Sequence, residues 1–161
     1  MGVVFVQKVT PKQLISKYKT NNPQEIAQEL GIIILFEPLG EINGYYNTAF
    51  RQKFIHINNT LVESKQKFTI AHELGHALLH PKANTPFLRD NTLFSINKLE
   101  IEANKFAVDL LITDEAIDEV KHLTLDQMAN YFGINKNPDK TTAKNLTIIK
   151  ERYRGFQRPY Q

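Results

Sequence analysis

His72, Glu73 and His76 stand in the order His-Glu-x-x-His, and in a helix that order has a chemical meaning. Residues four apart stack on one helical face, so both imidazoles can reach a single divalent ion. Glu73 then lies beside the ion without binding it, placed to take a proton from a metal-bound water. Zinc lowers the pKa of such a water to about 7, and a positioned carboxylate completes a hydroxide-like nucleophile. The pattern offers hydrolysis by metal-activated water. A five-residue match also arises by chance on charged helices, where the histidines bind nothing. Here Ala71, Leu74, Gly75, Ala77, Leu78 and Leu79 are small or apolar and would bury most of the circumference. Histidines and a glutamate among them carry a desolvation cost that a metal offsets.

Zinc takes three protein ligands and keeps a fourth position open in catalytic sites. The chain has no cysteine, so the third ligand must be His, Asp or Glu. On a straight helix His80 lies about 12 Å of rise beyond His72, too far to share one ion; it reads as a C-terminal His facing the last carbonyls. The three-histidine pattern HExxHxxGxxH is not met, since Leu79 occupies the Gly position and Lys82 the final His. A helix from Lys98 to Leu111 offers Glu100 and Glu102. At about 100° per residue, Leu99, Ala103, Phe106, Ala107 and Leu110 form its buried stripe. Glu102 shares a charged, solvated flank with Lys98, Lys105 and Asp109, whereas Glu100 shares the opposite flank with Asn104 and Leu111. Glu100 is the expected ligand and Glu102 the alternative, with Asn104 one turn on to hydrogen-bond a metal-binding His from behind.

An amide's oxyanion needs a donor besides the metal. Tyr45, Tyr46, His56 and Tyr131 have the chemistry, although tyrosines near strands usually pack and His56 sits in an alternating strand as a structural residue would. His122, near a helix end, reads as exposed.

The elements that must position these groups are well punctuated. Thr10-Pro11-Lys12-Gln13 caps a first helix, and Asn22-Pro23-Gln24-Glu25 a second that Gly31 ends. Strands follow over Ile32–Phe36 and Phe54–Ile57, with a turn at Gly40–Gly44 before the Tyr45-Tyr46 pair. The motif helix should run from Ser64 to His80, half buried and stopped by Pro81. Pro81–Asn97 reads as a loop, followed by the Lys98 helix, a short helix after Thr113, and two more over Thr124–Phe132 and Asp139–Arg152. Helices, a few strands and helices again predict an α+β domain with a small mixed or antiparallel sheet.

Composition bounds the rest. A chain of 161 residues with 42% hydrophobic and 23% charged residues can bury a core as one domain, with or without a small appendage. No apolar run approaches the roughly 18 residues of a membrane span, and the first residues lack the basic flank and cleavage pattern of a leader. The expectation is a cytoplasmic protein without membrane contact. The net charge of +3 gathers near the end, in Lys144, Lys150, Arg152, Arg154 and Arg158, and reads as a solvated tail. Leu123–Leu146 has the outline of a helix-turn-helix, but Asp139, Lys140 and Lys144 make a mixed face, so DNA contact is not expected.

Two blocks carry a family resemblance. Residues 67–80, KFTIAHELGHALLH, and residues 100–111, EIEANKFAVDLL, resemble the FTxAHELGHxLLH and ExxANxFAxxLL stretches of the ImmA/IrrE family of metallo-endopeptidases. Gly44–Asn58 is similar to the family's turn-and-strand lead-in more loosely, and the likeness is weakest after Thr113. The resemblance implies a gluzincin-like zinc site of His72, His76 and Glu100 on a zincin-like, minimal thermolysin-type core. It also implies a helix-turn-helix repressor as the protein cleaved, in the setting of mobile elements or toxin–antitoxin-like pairs. Residues 1–112 would be the peptidase core and 113–161 a helical segment packed on it, with a part in substrate recognition. Where the family often has Pro after the Leu pair, Ile112-Thr113 stands here, a changed turn with Thr113 free to cap the next helix. The competing reading is a non-catalytic, metal-stabilised module that docks a repressor or DNA.

Overall fold

The computed structural model of the chain describes residues 8–83 and 93–134, together with positions 147, 149–151 and 154. Helix α1 spans Pro11–Tyr18 and α2 Pro23–Glu29. Strands β1 (Ile33–Glu37), β2 (Gly44–Ala49) and β3 (Gln52–Asn58) follow. Helix α3 is Glu63–Leu79, α4 is Leu93–Leu111, α5 is Asp114–Val120 and α6 is Leu125–Tyr131. The architecture is α+β with one small mixed sheet, as expected.

The caps read from the sequence start the helices. Thr10 and Gln13 close a reciprocal capping box on α1, as Thr124 and Gln127 do on α6. Asn22 and Thr113 accept from the first turns of α2 and α5. Each such cap satisfies backbone donors that would otherwise be orphaned. Helix α3 is different: Val62 precedes it and gives no side-chain cap. Its stability comes from burial.

The sheet has the order β1-β3-β2, with β1 parallel and β2 antiparallel to β3. Phe50 and Arg51 turn the β2–β3 hairpin with φ of 52° and 62°, the left-handed conformation that tight hairpins demand and that non-glycine residues adopt at a cost. Cross-strand register pairs Tyr46 with Ile55 and Gly44 with Ile57. Tyr46, Ile55 and Ile57 are fully buried and form the inner face, which packs on α3. Lys53 reaches across to donate to the Ala77 carbonyl at 2.8 Å, tying β3 to the same helix.

Helix α3 is the centre of the molecule, packed between the sheet and α4 and touching α2 as well. From Phe68 to Ala77 every residue except His72 is buried, so the helix is enclosed almost all round, more than the half burial its apolar stripe suggests. Gly75 sets the approach of α4. A Cβ added there would lie 3.1–3.3 Å from Phe106 and Ala103, tighter than ordinary van der Waals contact. Helix α4 also begins earlier than expected, at Leu93 within the stretch read as a loop. Asn and Ser are weak helix formers, but turns already packed on a neighbour propagate helix past them.

Ile117, Val120, Met128, Ala129 and Phe132 of the C-terminal helices join the same apolar cluster as Leu74, Ala77 and Leu110. Most of the helix expected over Asp139–Arg152, and the segment expected to turn at Gly133–Pro138 beyond Ile134, lie outside the described residues.

The close seam between α3 and α4 is testable. Gly75→Val should overpack it and cost about 1–3 kcal/mol, read as a lowered midpoint in thermal or urea unfolding. An unchanged midpoint would mean that the two helices do not meet at Gly75.

Candidate metal centre

Helical spacing and the Gly75 approach together decide where the polar groups of α3 and α4 meet. His72 and His76 lie one turn apart on the face of α3 that α4 covers. Their Nε2 atoms are 3.2 Å apart, with the rings edge to face at 82°. Glu100 reaches in from α4: its Oε1 lies 3.0 Å from His76 Nε2, and its Oε2 lies 3.1 Å from His72 Nε2. One ligand atom from each of the three residues lies within 4.8 Å of the others, and among the described residues this is the single such cluster.

The second nitrogen of each ring determines what the first can do. His72 Nδ1 lies 2.7 Å from Asn104 Oδ1, an oxygen that can only accept, so Nδ1 carries a proton and Nε2 is the nitrogen that can give a lone pair to a metal. Asn104 is itself buried, and its Nδ2 has no partner among the described residues. An orphaned donor of that kind costs about 1–3 kcal/mol, so the amide oxygen is held on His72 against a local penalty. His76 Nδ1 faces His80 Nδ1 at 3.1 Å, and His80 Nε2 faces Glu102 Oε2 at 2.8 Å. Two imidazole nitrogens, each able to give a lone pair, and a carboxylate thus converge on one point. A divalent cation is the group that satisfies all three, and the donor set suits a borderline metal bound by nitrogen and oxygen.

Electrostatics point the same way. Burial alone would lower the His72 pKa, but the Glu100 hydrogen bond and the charges of Glu73 and Glu100 outweigh it and raise the value from 6.5 to about 9. For Glu100, burial acts upward and is overcome by hydrogen bonds from His72 and His76, which hold the carboxyl well below its usual range. Glu73 is buried on the same helix, near enough for its charge to act on His72.

The sequence-predicted groups divide cleanly. His72, Glu73, His76, Glu100 and Asn104 come together. Tyr45 and His56 lie on the sheet face turned away from α3, opposite to Tyr46 and Ile55 in register. There the two rings stack at 4.2 Å, and His56 bonds Glu37 at 3.0 Å and Asn47 at 2.9 Å. Tyr46 is buried and donates its hydroxyl to the Pro81 carbonyl at 3.0 Å, at the end of α3. Tyr131 is exposed at the end of α6, which abuts the start of α3 at Ser64, far from His76. His122 is exposed, as expected.

Two expectations need correction. His80 does not face carbonyls in solvent; it is 8% exposed and bonded on both ring nitrogens. Burial lowers its pKa despite the Glu102 bond. Glu102 is not on a solvated flank either. Its side chain is 28% exposed, the same as that of Glu100, and it joins His80 and Lys8. The signal was present in the spacing: His72, His76 and His80 recur every fourth residue, so each ring can touch the next although the first and last cannot share an ion.

Comparison with known proteins agrees with this geometry. Residues 27–141, well over half of the chain, match a peptidase family described as the IrrE N-terminal-like domain. The chain belongs to this family. Among its relatives, the metallopeptidase ImmA of Bacillus subtilis is 36% identical over 129 residues, 76% of this chain and 75% of that protein. A protein of Bacillus phage phi105 that bears the name uncharacterized immunity region protein 2 is 45% identical over 136 residues, 83% and 86% of the two chains. The radiation response metalloprotease IrrE of Deinococcus deserti is 29% identical over 129 residues, 70% of this chain but 42% of that longer protein. This ImmA/IrrE-family chain is a metallopeptidase, a hydrolase. Among its described residues no helix is long and apolar enough to cross a membrane.

The two pKa shifts define a pH window for the metal-free protein. His72, raised on folding, contributes stability that is complete below pH 6.5 and is lost as the pH climbs through about 9. Glu100, lowered on folding, contributes stability present above pH 4.5 and lost as the pH falls below it. Metal-stripped protein should therefore melt later at about pH 6 than at about pH 9. Saturating metal should abolish that alkaline loss, because a ligated imidazole lone pair has no proton to release. Thermal unfolding at the two pH values, with and without metal, checks this; a metal-free midpoint that does not move would contradict it.

Proposed function

We propose that this metallopeptidase is a zinc-dependent endopeptidase that cuts a peptide bond within a protein partner, a helix-turn-helix transcriptional repressor. The observation that carries the zinc reading is the spacing of the two imidazole nitrogens and the carboxylate between them. Tetrahedral zinc with bonds of about 2.0–2.1 Å has ligand–ligand edges of about 3.3 Å. The two imidazole Nε2 atoms are 3.2 Å apart here, and the Glu100 carboxylate sets Oε1 3.0 Å from one and Oε2 3.1 Å from the other. Three protein donors leave the fourth position for solvent, the arrangement of a catalytic site.

His72, His76 and Glu100 would hold the ion, and Asn104 would keep His72 turned with Nε2 inward. Zinc bound there supplies a Lewis acid for the scissile carbonyl and acidifies water. Glu73 accepts the proton of the attacking water and delivers it to the leaving amine, a positioned carboxylate acting first as base and then as acid. Its burial excludes competing solvent and keeps the carboxylate beside His72.

The repressor rests on two supports. One is the resemblance of both sequence blocks to the ImmA/IrrE family, and the other is the phage relative, whose name places it in an immunity region. A DNA-bound substrate would put the work in the cytoplasm and the gene in a mobile element or a paired regulatory unit. Helices α5 and α6, at the end of α3 remote from His76, offer a surface on which a folded substrate can be gripped.

Glu73→Gln should keep one zinc per chain and lose roughly 10²–10⁴ in turnover, the usual share of general acid–base catalysis. Loss of zinc together with activity would contradict the assigned role. Zinc-loaded protein mixed with the repressor encoded beside its gene should yield fragments that a chelator prevents. Stable binding without fragments would instead identify a docking module.

A further inference from the structure

We propose that His80 and Glu102 form a hydrogen-bond relay that positions His76 as a ligand, fixing which of its nitrogens is free. The proposal rests on the metal-site reading above and adds two residues to it.

His76 is 0% exposed, so its inner nitrogen has no recourse to solvent and must be satisfied within the protein. The partner it finds is unusual. Asn104 accepts directly from His72, but behind His76 stands another imidazole, with ring centroids 5.3 Å apart and planes at 53°. Two facing Nδ1 atoms at 3.1 Å leave the bond ambiguous, since either ring could donate. Glu102 removes the ambiguity. Its carboxylate only accepts, so His80 carries its proton on Nε2, 2.8 Å from Glu102 Oε2. The Nδ1 atom of a neutral His80 is then the acceptor, and His76 must donate from Nδ1. His76 Nε2 is left as a lone pair pointed at His72 Nε2 and Glu100. The end of the chain thus dictates the tautomer at its beginning.

The carboxylate is in turn held from outside. Lys8, just before α1, places Nζ 3.3 Å from the same Glu102 oxygen. Lys8 is 66% exposed, so its pairing contributes little on its own. Helix α4 therefore supplies three groups to one centre: Glu100 as ligand, Asn104 behind one histidine, and Glu102 behind the other through His80. An imidazole in the relay spans a gap that a carboxylate alone would leave, and it is available because α3 repeats His at every turn.

Partners of this kind typically change metal affinity by about 10–100-fold. Glu102→Ala and His80→Phe should each weaken zinc binding within that range in the full-length protein, measured by competition with a chromophoric chelator. Glu102→Gln should bind zinc nearly as wild type does, because its amide oxygen still accepts from His80. Nitrogen-15 imidazole spectra of the zinc-loaded wild type should show His80 protonated at Nε2 and His76 at Nδ1. Loss of affinity in Glu102→Gln equal to that in Glu102→Ala, or a His80 proton on Nδ1, would overturn the relay. So would wild-type affinity in Glu102→Ala and His80→Phe while the parent protein takes up zinc normally. If the parent takes up no zinc, the metal reading itself fails, and the relay with it.

Discussion

The structure depends on the convergence of two imidazoles and a carboxylate at one seam between helices. The Nε2 atoms of His72 and His76 lie 3.2 Å apart, and each is 3.0–3.1 Å from one oxygen of the Glu100 carboxylate, between two packed helices. Desolvated acceptors at that distance repel, and only a proton or a metal between them relieves the repulsion. The His72 pKa is raised and the Glu100 pKa lowered because each group favours the charged form of the other. A folding chain assembles such a site only if other contacts force it, and the remainder of the fold can be read as the forcing.

The force is hydrophobic. Phe68, Ile70, Ala71, Leu74 and Ala77 bury α3 in one core with Tyr46, Ile55 and Ile57 of the sheet and with Phe106, Ala107 and Leu110 of α4. Gly75 lets the backbones close, and the same closeness delivers Glu100 to two imidazoles on the adjoining turns. The glycine of the motif thus serves packing and chemistry at once. Polar groups that enter this seam bond one another: Asn104 Oδ1 with His72, and His80 with both His76 and Glu102.

Much of this was legible in the residues, and the reason differs by element. Caps and breakers such as Thr10-Pro11, Asn22-Pro23 and Thr113 act locally, so their helices could be placed from a few neighbours. The choice of Glu100 over Glu102 followed from angular position on one helix, which is also local. The fate of Glu102 was not local. Its partners are His80 and Lys8, 22 and 94 residues away in the chain, so no helical wheel could show that its flank faces a neighbouring helix. The start of α4 at Leu93 was hidden for the same reason, because packing carries the helix through residues whose own preference is weak. Tyr45 and Tyr46 alternate across the sheet, and which one faces α3 depends on the register with β3.

The most direct test is X-ray absorption at the zinc edge of the purified, zinc-loaded protein. The account predicts a four-coordinate ion with scattering from two imidazole rings and light-atom bonds of about 2.0–2.2 Å, the remaining ligands being oxygen. An ion surrounded by oxygen alone, with no imidazole signature, would contradict it.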